Sequence, residues 1–265
     1  MLGSLMGIRL VALDIDGTLL DSTSALRPRV VESVQRARKR GVDVVLATGR
    51  RFRTTRAIAE SLGLVGHAVV FNGGVVKHLA SGASVQAVHL SREIAGECVE
   101  AIRTVGAPVV FCDSTGGASE TDMLTEAHPR EHALQREYLD SNRDWLEHVD
   151  DVTSDSVRPA LMIASVGSRE ELEPLHGVLR ERVGSRAEIH FLENPATRST
   201  FLQVIPAATS KWLAVSRLAA SRGIRAEEIL AIGDDTNDLE MIRGAGTGVA
   251  MGNASARVRS EADWV

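Results

Sequence analysis

The chain has 265 residues, a mass of 28.4 kDa, a formal net charge of −5 and 44% hydrophobic residues. This acidic balance argues against a nucleic-acid-binding or polybasic membrane-surface protein, and the hydrophobic content is too high for a disordered chain. No apolar run approaches the ~18–20 residues of a membrane span, and the first residues lack the pattern of a signal peptide. We therefore expect a globular, cytoplasmic protein.

The first third of the chain alternates short apolar strands with helices. Strands are predicted at residues 8–13, 42–47 and 68–71, and each is followed by polar or small residues. A helix that begins near Pro28 and stops at Gly41 separates the first two strands, and a shorter helix that stops at Gly63 separates the next two. Nearly continuous apolar strands that alternate with helices are typical of a doubly wound parallel sheet.

The last part of the chain repeats this pattern, with strands predicted at 201–205, 229–232 and 247–251 and a helix at 210–222. The middle differs. It combines an alternating stretch at 85–90, strands at 109–111, 160–166 and 187–192, and a helix preceded by a capping box of Ser168 and Glu171. We predict an α/β fold, a doubly wound parallel-sheet core made of residues 1–77 and 193–265. An α+β domain, residues 78–192, is inserted into it. Residues 113–156 are mostly polar and carry no assigned elements.

Two carboxylates follow the first predicted strand in the segment Asp14-Ile15-Asp16-Gly17-Thr18. Because ligands bind at the carboxyl ends of strands in a parallel α/β sheet, Asp14 and Asp16 could both reach one site there. A simple turn is the structural alternative, since Asp and Gly are common turn residues. An EF-hand calcium loop fits poorly, because its twelfth position is Ala25 rather than Glu.

Polar groups also follow other strands. Thr48 and Gly49 offer a hydroxyl and a backbone N–H to a phosphate, and the segment Gly233–Asp238 is rich in carboxylates. Lys211, at the start of a helix, is one of only three lysines among 30 Lys and Arg residues, which indicates a specific role for a point cation. Clustered carboxylates repel one another, so a bound cation is expected, and oxygen ligands favour Mg²⁺ over zinc.

Taken together, these segments resemble the motifs of the haloacid dehalogenase-type (HAD) phosphohydrolases, in the Cof-like branch with a class IIB cap. In chain order they are Asp14-x-Asp16-Gly17-Thr18-Leu19, Thr48-Gly49-Arg50, Asn72-Gly73, Lys211, Gly233-Asp234-x-x-Asn237-Asp238-x-x-Met241 and Met251-Gly252-Asn253-Ala254. The cap insertion would lie between Asn72-Gly73 and Lys211, and the resemblance covers the whole chain.

The resemblance implies a role for each acidic residue of the motifs. Asp14 would be the nucleophile that forms an aspartyl-phosphate, and Asp16 would be the general acid and then the general base. Mg²⁺ would be held by the Asp14 carboxylate, the Asp16 backbone carbonyl and Asp234, with Asp238 nearby or acting through water.

The same resemblance assigns the remaining polar residues to the phosphate. Thr48, the Gly49 N–H and Lys211 would bind the phosphoryl oxygens, and Asn237 would help to orient the site. For Arg50, contact with substrate or phosphate and a surface salt bridge are both open.

The predicted function is a Mg²⁺-dependent phosphomonoester hydrolase acting on a small phosphorylated metabolite, a sugar phosphate or similar. A phosphomutase of the same family is the nearest alternative. A noncatalytic protein that binds a phosphorylated ligand is less favoured, and a phospho-acceptor signalling domain would be about half as long and would not need Asp16.

One pattern points to different chemistry. His128-Pro-Arg-Glu131-His132 matches the HxxEH zinc pattern, which requires a helix and a third ligand. The pattern lies in the polar region of the insert, so we expect a solvated face there rather than a zinc site.

Overall fold

The computed structural model describes residues 7–114, 121–130, 132–194, 199–207 and 209–265. The chain forms two compact units, one made of Met1–Gln86 with Thr209–Val265 and the other of Ala87–Ala208. The second unit is thus inserted into the first, as the sequence predicts, although the boundaries differ from the predicted ones.

The first unit opens with the predicted alternation of strands and helices. Its elements are β1 (Leu10–Leu13), α1 (Pro28–Lys39), β2 (Asp43–Ala47), α2 (Phe52–Ser61), β3 (His67–Val70), β4 (Val75–His78) and β5 (Ser84–Ala87). Pro28 is the first residue of α1, where a missing N–H leaves no hydrogen bond unmade. The apolar pattern of the sequence does not predict a strand at β4.

The second unit follows with α3 (Arg92–Ile102), β6 (Val109–Cys112), β7 (Met123–Thr125), α4 (Ala133–Ser141), β8 (Leu146–His148), β9 (Ala160–Gly167), α5 (Arg169–Val183), β10 (Ala187–Asn194) and β11 (Ser199–Pro206). The capping box at the start of α5 is confirmed. The Ser168 hydroxyl accepts from the Glu171 N–H, and the Glu171 carboxylate accepts from the Ser168 N–H. Three of these elements, β7, α4 and β8, lie in the polar segment to which the sequence assigns none.

The chain then completes the first unit with α6 (Lys211–Ala220), β12 (Ile229–Gly233), α7 (Leu239–Gly244), β13 (Thr247–Ala250) and α8 (Ala256–Ser260). Residues Val215 and Leu218 of α6 pack in one core cluster with Leu10, Ala12 and Val45 of the sheet. None of the described helices is long and apolar enough to cross a membrane.

The described part of the first unit contains a seven-stranded sheet in the order β13-β12-β1-β2-β3-β4-β5. The pairs β12–β13, β1–β12, β1–β2 and β2–β3 are parallel, whereas β3–β4 is antiparallel. The carboxyl ends of β1, β2, β3 and β12 therefore meet at one edge of the sheet. This confirms the predicted doubly wound α/β fold and adds an antiparallel edge to it.

Within the described residues of the second unit, six strands form a sheet in the order β10-β11-β9-β6-β7-β8. Its pairs are antiparallel apart from β7–β8. Cys98 and Ile102 of α3 and Leu175 and Leu179 of α5 share a buried cluster with strand residues such as Val110. This arrangement agrees with the predicted α+β insert.

The predicted domain boundaries, 77/78 and 192/193, are corrected at both ends. Strand β5 joins the sheet of the first unit, and the strand predicted for the core at 201–205 is β11 of the second sheet. Strand β11 pairs antiparallel with β10, from Ala187↔Pro206 to Asn194↔Ser199, and also with β9. Apolar patterning indicates that a strand is buried, but the sheet that it joins depends on hydrogen-bond partners distant in the sequence.

The HxxEH pattern is not on one helix, because α4 begins at Ala133, after both histidines. His128 Nε2 and His132 Nε2 each lie 2.8 Å from a backbone carbonyl oxygen, that of Arg103 and that of Val105. Glu131 lies outside the described residues.

We expect a histidine at the start of β3 to make the stability of the first unit depend on pH. His67 Nδ1 accepts a hydrogen bond of 2.6 Å from the Arg222 guanidinium, which also donates to Asp43 at 2.9 Å. The His78 ring packs edge-on against the His67 ring, and the two ring centroids are 5.0 Å apart. Burial, Arg222 and His78 together lower the pKa of His67, although Asp43 opposes them. The folded state thus favours the neutral imidazole.

Because the pKa of His67 is lower in the folded than in the unfolded state, its contribution to stability is lost as the pH falls below about 6.5. We expect His67→Asn, which keeps an acceptor for Arg222 but does not titrate, to lose less thermal stability than the wild type between pH 7.5 and pH 5.5. Melting curves of both proteins at the two pH values measure this. The exposed His89 supplies the control, His89→Asn. Equal losses in the wild type and His67→Asn would contradict the prediction.

Candidate active site

Asp14 and Asp16 leave the sheet directly after β1. The Asp14 N–H still donates to the carbonyl oxygen of Ile232 in β12, at 3.0 Å, so the start of this loop is fixed to the sheet. The Asp14 side chain is almost fully buried, whereas more than half of the Asp16 side chain is exposed. The two carboxylates therefore occupy different environments, one buried and one largely in contact with solvent.

A buried lysine joins Asp14 to a second carboxylate. Lys211 Nζ donates to Asp14 Oδ1 and to Asp238 Oδ1, each at 2.7 Å, and all three side chains are at least 94% buried. Lys211 is the first residue of α6, held by the preceding Ser210, whose hydroxyl caps the helix. Burial opposes the charge of Lys211, but Asp238 and Asp14 outweigh it and raise its pKa.

Asp238 organises the loop after β12. Its Oδ2 accepts hydrogen bonds from the backbone N–H groups of Asp234 and Asp235, at 3.1 and 3.2 Å, while its Oδ1 accepts from Lys211. Asp238 is fully buried, and such a carboxylate needs partners of this kind. Both of its oxygens therefore have protein donors.

Two residues of the motifs, Thr18 and Asn253, have no predicted role, yet they position Asp234. The Thr18 hydroxyl donates to Asp234 Oδ1 at 3.0 Å. The Asn253 amide donates to Asp234 Oδ2 at 3.0 Å and to the Gly17 carbonyl oxygen at 3.1 Å. Both residues belong to the motifs given above, so the sequence marked them as candidates. It did not indicate their partner, because Asp234 lies more than two hundred residues from Thr18.

Gly17 is required by this packing. Its φ is +79°, and a Cβ at this position would lie 2.1 Å from Asp234 Oδ2. We expect Gly17→Ala to displace the Asp234 carboxylate and to lower kcat/KM by about 10²-fold or more. Gly41→Ala is the matched control, because Gly41 also has a positive φ, +80°, but a Cβ added there would have no neighbouring atom within 4 Å. Steady-state kinetics and melting curves of both variants test this, and equal activities would contradict it.

Asp14, Asp234 and Asp238 form a candidate metal site. Ligand oxygens of the three carboxylates lie within 4.8 Å of one another. Burial, followed by repulsion from Asp238, raises the pKa of Asp14 to about 7 although Lys211 opposes this. The pKa of Asp234 is also raised, mainly by burial. One ammonium group does not balance three carboxylates, so the residues fit a divalent cation, and their oxygen donors fit Mg²⁺. The predicted contribution of the Asp16 carbonyl stays a prediction.

The predicted phosphate-binding residues Thr48 and Gly49 follow β2. The Thr48 N–H donates to the Val69 carbonyl oxygen at 3.0 Å, which ties this loop to β3. The buried Thr48 hydroxyl accepts from the Arg50 N–H at 3.1 Å and so keeps its own proton available for donation. Backbone and hydroxyl donors at the end of a strand are suited to an anion.

Arg50 forms a bidentate ion pair with Asp16. Its Nε donates to Asp16 Oδ2 at 2.7 Å and its Nη2 to Asp16 Oδ1 at 2.6 Å. The sequence left open whether Arg50 forms a salt bridge, and the structure shows one, with the predicted site residue Asp16 as its partner. Contact between Arg50 and substrate stays a prediction.

Asn237 follows β12, and its Nδ2 donates to the Oδ1 of Asn72 at 3.1 Å. All nine predicted site residues thus lie in the first unit, in loops after β1, β2 and β12 or at the start of α6. Hydrogen bonds join Lys211 to Asp14 and Asp238, and Arg50 to Asp16.

Comparison with known proteins identifies the family of this chain. The sequence model of the haloacid dehalogenase-like hydrolases matches residues 11–265. The chain is 29% identical over 256 residues to the HMP-PP phosphatase of Serratia proteamaculans, covering 95% of this chain and 86% of that protein. It is 29% identical over 255 residues to the phosphoglycolate phosphatase of Archaeoglobus fulgidus, covering 96% and 88%.

A solved structure shows the same fold. The crystal structure of a haloacid dehalogenase-like hydrolase from Bacteroides thetaiotaomicron matches with a TM-score of 0.80 and 28% identity, over 97% of this chain and 93% of that one. The family match extends over nearly the whole sequence, including every motif quoted above. The chain therefore belongs to the haloacid dehalogenase-like hydrolase family, as a phosphatase of its Cof-like branch.

Proposed function

We propose that the protein is a Mg²⁺-dependent phosphomonoester hydrolase that acts on a small phosphorylated metabolite through an aspartyl-phosphate on Asp14. The observation that carries this proposal is the buried Asp14–Lys211–Asp238 group with Asp234 beside it. The names of the two relatives, an HMP-PP phosphatase and a phosphoglycolate phosphatase, support a small phosphorylated substrate.

In the first half-reaction, an Asp14 carboxylate oxygen attacks the phosphorus atom while the bond to the leaving oxygen breaks, and Asp16 gives a proton to that oxygen. In the second, water attacks the phosphorus of the aspartyl-phosphate and Asp16 takes the proton. In the structure Arg50 donates to both oxygens of Asp16, so in the proposed reaction the Asp16 carboxyl group separates from Arg50 to give and to take the proton.

Lys211 serves the nucleophile directly. Its ammonium lies 2.7 Å from Asp14 Oδ1 and favours the ionised carboxylate, which burial alone disfavours. The Thr48 hydroxyl and the Gly49 N–H are proposed to bind the phosphoryl oxygens. Mg²⁺, held by Asp14 and Asp234 with Asp238 close by, would supply positive charge against the phosphoryl group. In this proposal the second unit selects the substrate, as the family resemblance implies.

The test is phosphate release from a panel of phosphorylated metabolites, with Mg²⁺ and with EDTA, using Asp14→Asn as the blank. We expect release that depends on Mg²⁺ and disappears in the variant. Exchange of phosphate between two positions of a sugar would instead indicate a phosphomutase. Binding without turnover, unaffected by Asp14→Asn, would indicate a noncatalytic protein.

A matched pair of variants tests the metal site. Asp234→Asn removes a carboxylate of the cluster, and we expect the Mg²⁺ concentration for half-maximal activity to rise by roughly 10–100-fold. Asp235→Asn alters the neighbouring carboxylate, whose Oδ1 accepts from the Thr236 N–H at 2.6 Å, and should leave that concentration unchanged. Mg²⁺ titrations of both variants decide it. The same Mg²⁺ requirement in both would exclude Asp234 as a ligand.

A further inference from the structure

The turn after β3 has an unusual backbone. Phe71 and Asn72 have φ values of +52° and +53°, and among the described non-glycine residues only Ser24 shares this left-handed region. Asn tolerates this region better than most residues, because its short amide can bond locally. Two consecutive residues in this conformation indicate a turn whose shape is maintained by its contacts.

Asn72 contacts two of the loops that form the active site. Its backbone N–H donates to the Thr48 carbonyl oxygen at 3.0 Å, and its Oδ1 accepts from Asn237 Nδ2 at 3.1 Å. The amide also lies against Gly49, where an added Cβ would come within 3.0 Å of Asn72 Oδ1. One residue therefore links the two loops: its backbone bonds the loop after β2, and its side chain bonds the loop after β12 and packs against Gly49.

The next residue, Gly73, contacts a third part of the site. Its φ is +101°, and a Cβ there would lie 2.1 Å from the Ser210 carbonyl oxygen and 3.1 Å from the Lys211 N–H nitrogen. The turn is thus packed against the start of α6, directly beside the residue that bonds Asp14. Within this turn, the side chain of Asn72 bonds Asn237, and the backbone of Gly73 packs against Ser210.

We propose that Asn72 is a positioning residue for phosphate binding. By bonding Asn237 on one side and the Thr48-Gly49 loop on the other, it sets the separation of the two loops between which the phosphoryl group is bound. A neutral amide suits this place, because a carboxylate against Gly49 would repel the phosphate. The inference rests on the proposed function, and it adds a role for a residue that contacts neither Asp14 nor Asp16 in the described hydrogen bonds.

Asn72→Gly removes the amide and retains freedom for a positive φ. We expect KM and the inhibition constant of inorganic phosphate to rise about tenfold, with little change in kcat or melting temperature. Asn237→Ala should raise both constants similarly, and the double variant should be no worse than either single variant, since all three lack the same hydrogen bond. Ser24→Gly, at the other left-handed position, is the control and should leave both constants unchanged.

A purely structural role would lower the melting temperature or kcat and leave both constants unchanged. That result, or full additivity of the two single variants, would overturn the inference. Asn72→Asp keeps size and acceptor, so it tests the same site if Asn72→Gly does not fold. Its added charge should raise the phosphate inhibition constant, and an unchanged constant would also overturn the proposal. If the wild type releases no phosphate from any substrate, the proposed function itself is wrong. If the wild type releases phosphate and the variants leave both constants unchanged, only the role of Asn72 is wrong.

Discussion

Asp14→Asn is expected to reduce phosphate release to the background rate, a loss of the order of 10⁶-fold, the scale on which removal of a covalent nucleophile acts. The amide cannot form the aspartyl-phosphate, whatever the substrate. The fold should tolerate the change, because burial already raises the pKa of Asp14 to about 7 and a neutral isostere avoids that cost. Phosphate release under saturating substrate and Mg²⁺ measures the effect.

Asp16→Asn is the comparison that identifies Asp14 as the nucleophile. Loss of a general acid and base costs about 10²–10⁴-fold, and the exposed Asp16 should leave phosphate binding intact. Single-turnover experiments should show both half-reactions slowed in Asp16→Asn and no phosphoenzyme in Asp14→Asn. Normal turnover in a folded Asp14→Asn protein would refute the mechanism.

Lys211 gives the second large effect. Lys211→Arg should lower kcat by about 10²-fold or more, because a planar guanidinium does not reproduce a point charge 2.7 Å from both Asp14 and Asp238. Lys211→Met leaves two buried carboxylates without their cation, and we expect it to cost about 3–5 kcal/mol of unfolding free energy. Urea unfolding and steady-state kinetics measure the two effects.

Lys77 provides the matched control, since it is also a fully buried lysine of the first unit. Its ammonium lies 5.0 Å from the centre of the Phe52 ring, and the proposed mechanism gives Lys77 no part in phosphate binding. Lys77→Arg should therefore change stability but leave kcat within a few-fold of the wild type. An active Lys211→Arg enzyme, or equal loss of kcat in both variants, would refute the role assigned to Lys211.

The sequence predicted that the candidate site residues lie near one another, and the reason is local. The nucleophile and acid stand two residues apart after one apolar strand, and the acidic loop stands after another, so a parallel sheet brings them together. The scarcity of lysine singled out Lys211, and the structure places its ammonium group between two buried carboxylates. Motif spacing and strand order were enough to predict that these residues lie at one edge of the sheet.

The second unit was predicted less completely. Its elements β7, α4 and β8 lie in a polar segment with no clear period, and tertiary contacts stabilise them, such as the packing of Leu139 and the buried Gln135. Strand β4 is four residues long and follows an irregular turn, so no helical or alternating pattern marks it. The sequence correctly predicted a strand at β11 but assigned it to the core domain, whereas it pairs in the sheet of the second unit.

The sequence by itself determined the fold class, the insertion and the residue types that meet at the carboxyl ends of the strands, because these follow from the period of apolar residues and from motif order. Only the tertiary structure decided the partners. It places Lys211 against Asp14, 197 positions away, and Arg50 on Asp16; Thr18 and Asn253 bind Asp234, and Asn72 lies between two loops. The physical reason is that a pattern reports burial and direction, whereas a hydrogen bond depends on distances between segments that the chain brings together only on folding.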